Sequence, residues 1–215
     1  MTISQGTKLA GYSRGKGRAI TQVVLHESVT SSREATVRVL AARHLGVHFI
    51  VDTDGSVTQH VPVELACAHA EGFGKPSEHN EASIAVEVVN PYYGGEHDLH
   101  CKWAHKGLYV CPPQIQLEAT WQLVRGLGVP LDFPANGQRG FRWGRWWAHE
   151  GAVGIMAHKR WAHADGLFVE HYCWARHRGY LPDAAFPLTV SNAVMGSLWT
   201  PLDPVVDTAI VEELK

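Results

Sequence analysis

The stretch HKRWAHAD, residues 158 to 165, carries three side chains able to ligate a metal within eight positions: His158, His163 and Asp165. Imidazole nitrogens and carboxylate oxygens are both good zinc donors, and a catalytic zinc takes three protein ligands and keeps a further position for water. Another histidine, His26, ends the apolar run VVLH much as His158 ends GIMAH. Each would stand at the end of a buried strand, where its ring leaves the core. His26 and His158 could then act as a clamp, with Asp165 in reach after the turn at 159–164. Spacing alone leaves this beside the plainer reading of solvent-facing or core histidines. Glu87 raises a related question, because it interrupts the otherwise apolar SIAVEVVN, where a carboxylate needs a reason.

These residues need elements to hold them. ITQVVLHESVT, residues 20 to 30, reads as a buried strand ending at His26. SSREATVRVLAARHLG opens with Ser caps and Glu34, spaces Val37, Leu40 and Ala41 helically, and closes at Gly46. In VHFIVDTDGSVTQHV, two β-rich runs flank Asp54-Gly55, a strong hairpin signal. PVELACAHAEGFGKPSEHNEA reads as a long surface loop, and SIAVEVVN as a buried strand. PQIQLEATWQLVRGLG predicts a helix with Pro113 in its first turn, Ile115, Leu117, Trp121 and Val124 on its apolar side, and Gly126 or Gly128 at its end. GAVGIMAH, 151 to 158, is a further strand, and FVEHYCWARHRGY, 168 to 180, an amphipathic helix. Strands alternating with helices, plus one hairpin, predict an α/β fold: one domain over residues 1–180 with a central mixed β-sheet flanked by helices, and a C-terminal extension over 181–215.

Composition bounds the function. With 215 residues, 45% of them hydrophobic, the chain can bury one core. A net charge of -2 without runs of Lys or Arg gives no reason to expect a nucleic-acid partner. The first twenty residues hold no signal-like apolar stretch and no later run could span a bilayer, so the expectation is a cytoplasmic product as synthesised, without a membrane partner. Fourteen His is the compositional anomaly. The four Cys form no CxxC pair; Cys101 and Cys111 could bond, but buried free thiols are the expectation.

The blocks VVLHES, LGVHFIVDTDGSVTQHVP, AHA, N-x-x-SIAVE, and AH before HAD occur in an order that resembles the type-2 N-acetylmuramoyl-L-alanine amidases, a family shared with peptidoglycan recognition proteins. The resemblance covers roughly residues 20–175, and the GVHFIVDTDGSVTQ hairpin is its most specific part. It implies a zinc hydrolase that cuts the amide between the lactyl group of N-acetylmuramic acid and the L-alanine of the stem peptide in peptidoglycan or muropeptides. The implied zinc ligands are His26, His158 and Asp165. His69 and Asn80 match positions that line the family's substrate groove.

Two departures are informative. The family usually has Lys two residues before the third ligand, where this chain has His163, so His163 takes the place of the cation that steadies the oxyanion. A protonated imidazole can donate as Lys does, and the expectation is activity that falls as pH rises through its pKa. The alternative is that His163 itself is the ligand. Many members also place Tyr where this chain has Val47, whereas the cell-wall-recycling branch lacks that Tyr and has Glu at the position of Glu87. Glu87 beside a metal suits a general base that takes a proton from the attacking water. His48 reads as structural rather than as a ligand, pointing into the sheet if Val47 points out. The insert NGQRGFRWGRWWAHEG interleaves Arg142 and Trp143 with further Arg and Trp, a composition that could grip an acidic stem peptide and glycan or simply cover apolar surface.

An enzyme is the leading reading. A non-catalytic peptidoglycan-binding module is its rival, since members that lose the third ligand keep the groove. Recycling enzyme, released lysin and exported effector all fit the same chemistry.

Overall fold

The structure, a computed structural model, describes residues 1–12, 17–70, 78–90, 109–110, 112–129, 154–160, 163–165, 169, 173 and 189–190. The strands are β1 (Ile3–Gln5), β2 (Gln22–Val29), β3 (Phe49–Val51), β4 (Val57–Gln59), β5 (Ser83–Asn90), β6 (Tyr109–Val110), β7 (Gly154–Arg160), β8 (His163–Asp165) and β9 (Thr189–Val190). The helices are α1 (Arg33–Ala42), α2 (Glu78–Ala82) and α3 (Gln114–Gly126). Seven strands form one sheet in the order β1-β4-β3-β5-β2-β7-β8, while β6 and β9 pair separately. Its centre, β3-β5-β2-β7, is parallel, and β4 and β8 run antiparallel to their inner neighbours. This is the mixed sheet with helices that the alternation of elements predicts.

The apolar runs become central strands because both faces of the sheet are covered. Val23, Val24, Leu25, Ala85, Val86, Val88 and Val89 are all fully buried. Each buried Val or Leu side chain contributes about 1.5–3 kcal/mol of burial, which fixes the register on both faces at once. On one face Ile50, Ala85 and Val89 pack with Val47, Val61 and Cys67, closed over by Val37 and Leu40 of α1. On the other, α3 lies against β3, and Gln116 Nε2 donates to the carbonyls of Val51 (3.0 Å) and Val89 (2.8 Å) at the ends of β3 and β5.

Several boundaries differ from the sequence reading. The α1 helix starts as expected, with Ser32 Oγ accepting from Ala35 N–H at 3.2 Å, but it stops at Ala42 rather than near Gly46. His44 takes the left-handed turn with φ 54°, a conformation an imidazole residue tolerates better than a branched one. Thr36 is buried on α1 while Ala41 is exposed. On α3, Ile115 is 60% exposed, and Gln116 takes the inward place because the strand-end carbonyls need a donor. The hairpin is β3–β4, joined by residues 52–56, with Gly55 at φ 81°. The expected loop over 62–82 is not a surface loop throughout: Ala66, Cys67, Ala68 and Ala70 are buried, and α2 occupies its end.

Cys67 and Cys173 are buried free thiols, as expected, whereas Cys101 and Cys111 lie outside the described residues. So do the 136–151 insert and, apart from Val169 and Cys173, the expected helix over 168–180. Of the extension from 181 onward, only Thr189 and Val190 are described. Among the described residues, no helix is long and apolar enough to cross a membrane.

Candidate active site

Three central strands are aligned so that a short row of polar groups crosses the sheet. His26, Glu87 and His158 are each the fifth residue of their strand. Register pairs His26 with Glu87 and Leu25 with Ala157, so the next step brings His26 beside His158. Their ring centroids lie 4.7 Å apart at an interplanar angle of 39°, matching one strand spacing of about 4.8 Å. The β7–β8 hairpin then sets Asp165 directly opposite His158. Across four neighbouring strands the positions therefore run Glu87, His26, His158, Asp165. Side chains at paired positions share a face. Ile50 is likewise paired with Glu87, which places Glu87, His26 and His158 on the face that α1 covers.

The three described side chains of the row are buried: His26 is 4%, His158 5% and Glu87 8% exposed. Above it runs the segment His69–Ala70. His26 Nε2 lies 3.1 Å from His69 Nδ1, and the two rings meet edge to face. His69 Nε2 reaches Ser83 Oγ at 2.9 Å, and Ser83 Oγ donates to the His79 carbonyl at 2.9 Å. His158 Nε2 points at the carbonyl of Ala70, 3.3 Å away. Burial, and after it the neighbouring imidazoles of His26, His48, His79 and His158, push the His69 pKa well below the usual histidine range. The ring is therefore neutral at pH 7.

Asn80, expected in the substrate groove, is fully buried. Its Oδ1 accepts from the backbone N–H groups of His69 (3.3 Å) and Ala70 (3.0 Å), so it ties down the segment above the row. Arg18 completes the support. Its Nε donates to the Glu81 carbonyl (2.9 Å), Nη1 to those of Val63 (2.7 Å) and Leu65, and Nη2 to those of Asn80 (3.1 Å) and Ser83. All five N–H donors of one guanidinium thus serve backbone carbonyls on either side of the His69 segment.

His48 is structural, as the sequence reading holds, but Val47 does not point out in exchange: both are buried, because both precede β3 under a covered face. His48 Nδ1 accepts from Ala85 N–H at 2.9 Å, which leaves the proton on Nε2, facing the Leu65 carbonyl at 2.9 Å. Burial, reinforced by the Arg18 charge and opposed by the bond to Leu65, pushes its pKa down to about 4. Between that value and the ordinary 6.5, the unfolded chain takes up a proton that the native ring refuses. Stability therefore rises with pH across this window and is lost as pH falls through it, by ~3 kcal/mol in all from this residue. Urea unfolding at pH 7 and pH 4.5 should show a smaller acid loss in His48→Gln, although that variant starts less stable. Equal losses in the two proteins would remove His48 as the source.

The structure thus brings together His26, His158 and Glu87, with His69 bonded to the first. Asp165 and His163 hold fixed backbone positions on β8, two residues apart and so in the same phase of the pleat, but their side chains lie outside the described set. Among the described residues no three His, Cys, Asp or Glu side chains gather around one metal position. Arg142 and Trp143 also fall outside the described residues. Sequence reasoning passed over Ser83, Arg18 and Glu27. Glu27, buried on β2 in the opposite phase to His26, accepts from Asn90 Nδ2 and from Val169 N–H, each at 3.3 Å, behind the row. A buried carboxylate beside His26 was visible as a pattern; the bonds of Arg18 to backbone carbonyls leave no signature in residue types.

Comparison with known proteins agrees with the motifs. Among solved structures, the chain is similar to the N-acetylmuramoyl-L-alanine amidase LysC from Clostridium intestinale URNW, at 14% identity over 59% of this chain and 74% of that one, with a TM-score of 0.38. It is also similar to AmpDh3 from Pseudomonas aeruginosa (18% identity, 54% and 47% covered, TM-score 0.40). A third is the amidase AmiD from E. coli, solved with anhydro-N-acetylmuramic acid-L-Ala-D-gamma-Glu-L-Lys (17% identity, 54% and 46% covered, TM-score 0.40). No curated protein matches the chain. The family model described as N-acetylmuramoyl-L-alanine amidase matches residues 16–173, a span that includes the whole row and the Asn80-pinned segment above it. By that match, over more than half its length, this chain belongs to the N-acetylmuramoyl-L-alanine amidase family.

Proposed function

We propose that this chain is a zinc-dependent hydrolase that cleaves the amide between the lactyl group of N-acetylmuramic acid and L-alanine in peptidoglycan or muropeptides. The observation that carries this reading is the row itself: a buried carboxylate, two adjacent imidazoles and a second carboxylate position, one on each of four neighbouring strands. The donor set fits the metal. Two imidazoles and one carboxylate are a catalytic zinc set, and His26, His158 and Asp165 would hold the ion. Bound there, zinc would supply Lewis acidity, polarising the scissile carbonyl and making water acidic near neutral pH.

The remaining work falls to the chain. Glu87, next to His26 on the side away from Asp165, takes the proton from the attacking water on a carboxylate oxygen. It returns that proton to the L-alanine nitrogen as the C–N bond breaks, so the products are a free lactyl carboxylate and a peptide amine. His163, two positions from Asp165, donates a hydrogen bond to the oxyanion. Arg142 and Trp143 supply contacts to the stem-peptide carboxylates and the sugar face.

The test uses the purified protein and a MurNAc-peptide, with product masses read after chelation and after zinc is returned. The expected result is a sugar acid and a peptide beginning at L-alanine, lost on chelation and restored by zinc. Binding without cleavage by the zinc-loaded protein would instead make it a peptidoglycan recognition module.

A further inference from the structure

The bonds above the row have only one consistent set of directions. A carbonyl can only accept, so Ser83 spends its hydroxyl proton on the His79 carbonyl and must accept at Oγ from His69 Nε2–H. His69 Nδ1 then carries the lone pair and must accept from His26 Nε2–H, 3.1 Å away. On the neighbouring strand the Ala70 carbonyl, likewise only an acceptor, requires the proton of His158 to sit on Nε2. Two consecutive residues therefore impose the same tautomer on both rings. In each, Nδ1 is left as the basic nitrogen.

We propose that the His69–Ala70 segment, pinned by Asn80, is a template that holds His26 and His158 as Nε2–H tautomers, so that each offers Nδ1 to the metal. His69 and Asn80 are then positioning residues and not substrate contacts. The inference rests on reading His26 and His158 as metal ligands. Its physical basis is general: a ligating imidazole is oriented, and its basicity raised, by the acceptor that holds its other N–H. What is particular here is that a histidine serves one ligand and the next backbone carbonyl serves the other. Asn80 Oδ1 takes both N–H groups of the pair, which fixes their spacing over the two strands.

The experiment combines a ligand-free and a ligand-bound readout. Ring-nitrogen NMR on the metal-free protein reports the tautomer of each histidine, and competition with a chelator gives zinc affinity. The wild type should show His26 and His158 as Nε2–H. In His69→Ala, His26 should lose that bias while His158 keeps it, and zinc affinity should fall about 10–100-fold. His69→Asn, whose side-chain oxygen can stand where Nδ1 stood, should recover much of the loss, and Asn80→Ala should disturb both rings. An Nδ1–H tautomer at His26 in the wild type would overturn the proposal. So would a His69→Ala protein with unchanged zinc affinity and a raised KM for muropeptide, the behaviour of a substrate contact. His26→Ala separates the two levels. If it abolishes zinc binding while His69→Ala leaves the affinity unchanged, the template alone fails; if it leaves zinc affinity intact, the metal reading fails and the template falls with it.

Discussion

Glu87→Gln is expected to lower turnover of a MurNAc-peptide by about 10²–10⁴-fold while zinc affinity and fold are retained. Gln has nearly the same volume and keeps an oxygen acceptor, so the packing around position 87 survives. What it lacks is the ability to hold a proton reversibly. Glu87 is 8% exposed on a strand whose other residues are almost all apolar, and a carboxylate is costly to bury there without compensation. It is paired in register with His26 on one side and with Ile50 on the other, so any change that shifts the strand would show in stability as well as rate. The discriminating measurements are therefore kcat, zinc affinity and unfolding on the same preparation. A variant that folds, binds zinc and turns over normally would place the base elsewhere. Glu87→Asp should fall between the two, since it keeps the chemistry but withdraws the carboxylate by one methylene.

The elements that carry the row were legible because each is short, strongly patterned and bounded by turn residues. The runs VVLH and GIMAH do form strands, but neither strand ends at its histidine, since β2 continues to Val29 and β7 to Arg160 and both rings are buried; the Asp54-Gly55 turn and the lone Glu87 survive as a hairpin and a buried strand position. Which strands lie side by side was not legible. Nothing local to VVLH or GIMAH says that they pair, or that His26, Glu87 and His158 each occupy the fifth place; register is a long-range property set by packing on both faces. The same limit explains where the structure differs. Ile115 looks apolar and inward by helical spacing, yet the strand-end carbonyls claim that side of α3 for Gln116. Asn80 and His69 look like exposed loop polars, and the structure gives both of them partners inside the protein. A polar residue in a His- and Gly-rich stretch has the same letter whether it lines a groove or is bonded inside the protein.

Arg18 gives the sharpest case of support invisible to sequence, and its removal should be costly. Arg18→Ala is expected to destabilise the protein by on the order of 4 kcal/mol, because charge-assisted bonds to buried carbonyls are among the stronger ones and unsatisfied acceptors remain behind. The carbonyls come from Val63 and Leu65 on one side and from Asn80, Glu81 and Ser83 on the other, so the guanidinium joins the two ends of the segment that carries His69. Burial is the main influence lowering its pKa, with Cys67, Tyr12, Glu81 and Glu64 acting against it, but a guanidinium stays protonated through such a shift. Arg18→Lys separates charge from geometry. Lysine keeps the charge but has three donors on one atom, so at least two of the five carbonyls go without, and a loss of roughly 2 kcal/mol should remain. Denaturant unfolding of both variants beside the wild type reads these differences directly. If Arg18→Ala lost less than about 1 kcal/mol, the carbonyls would be finding water instead, and the clamp would not be what sets the height of His69 over the row.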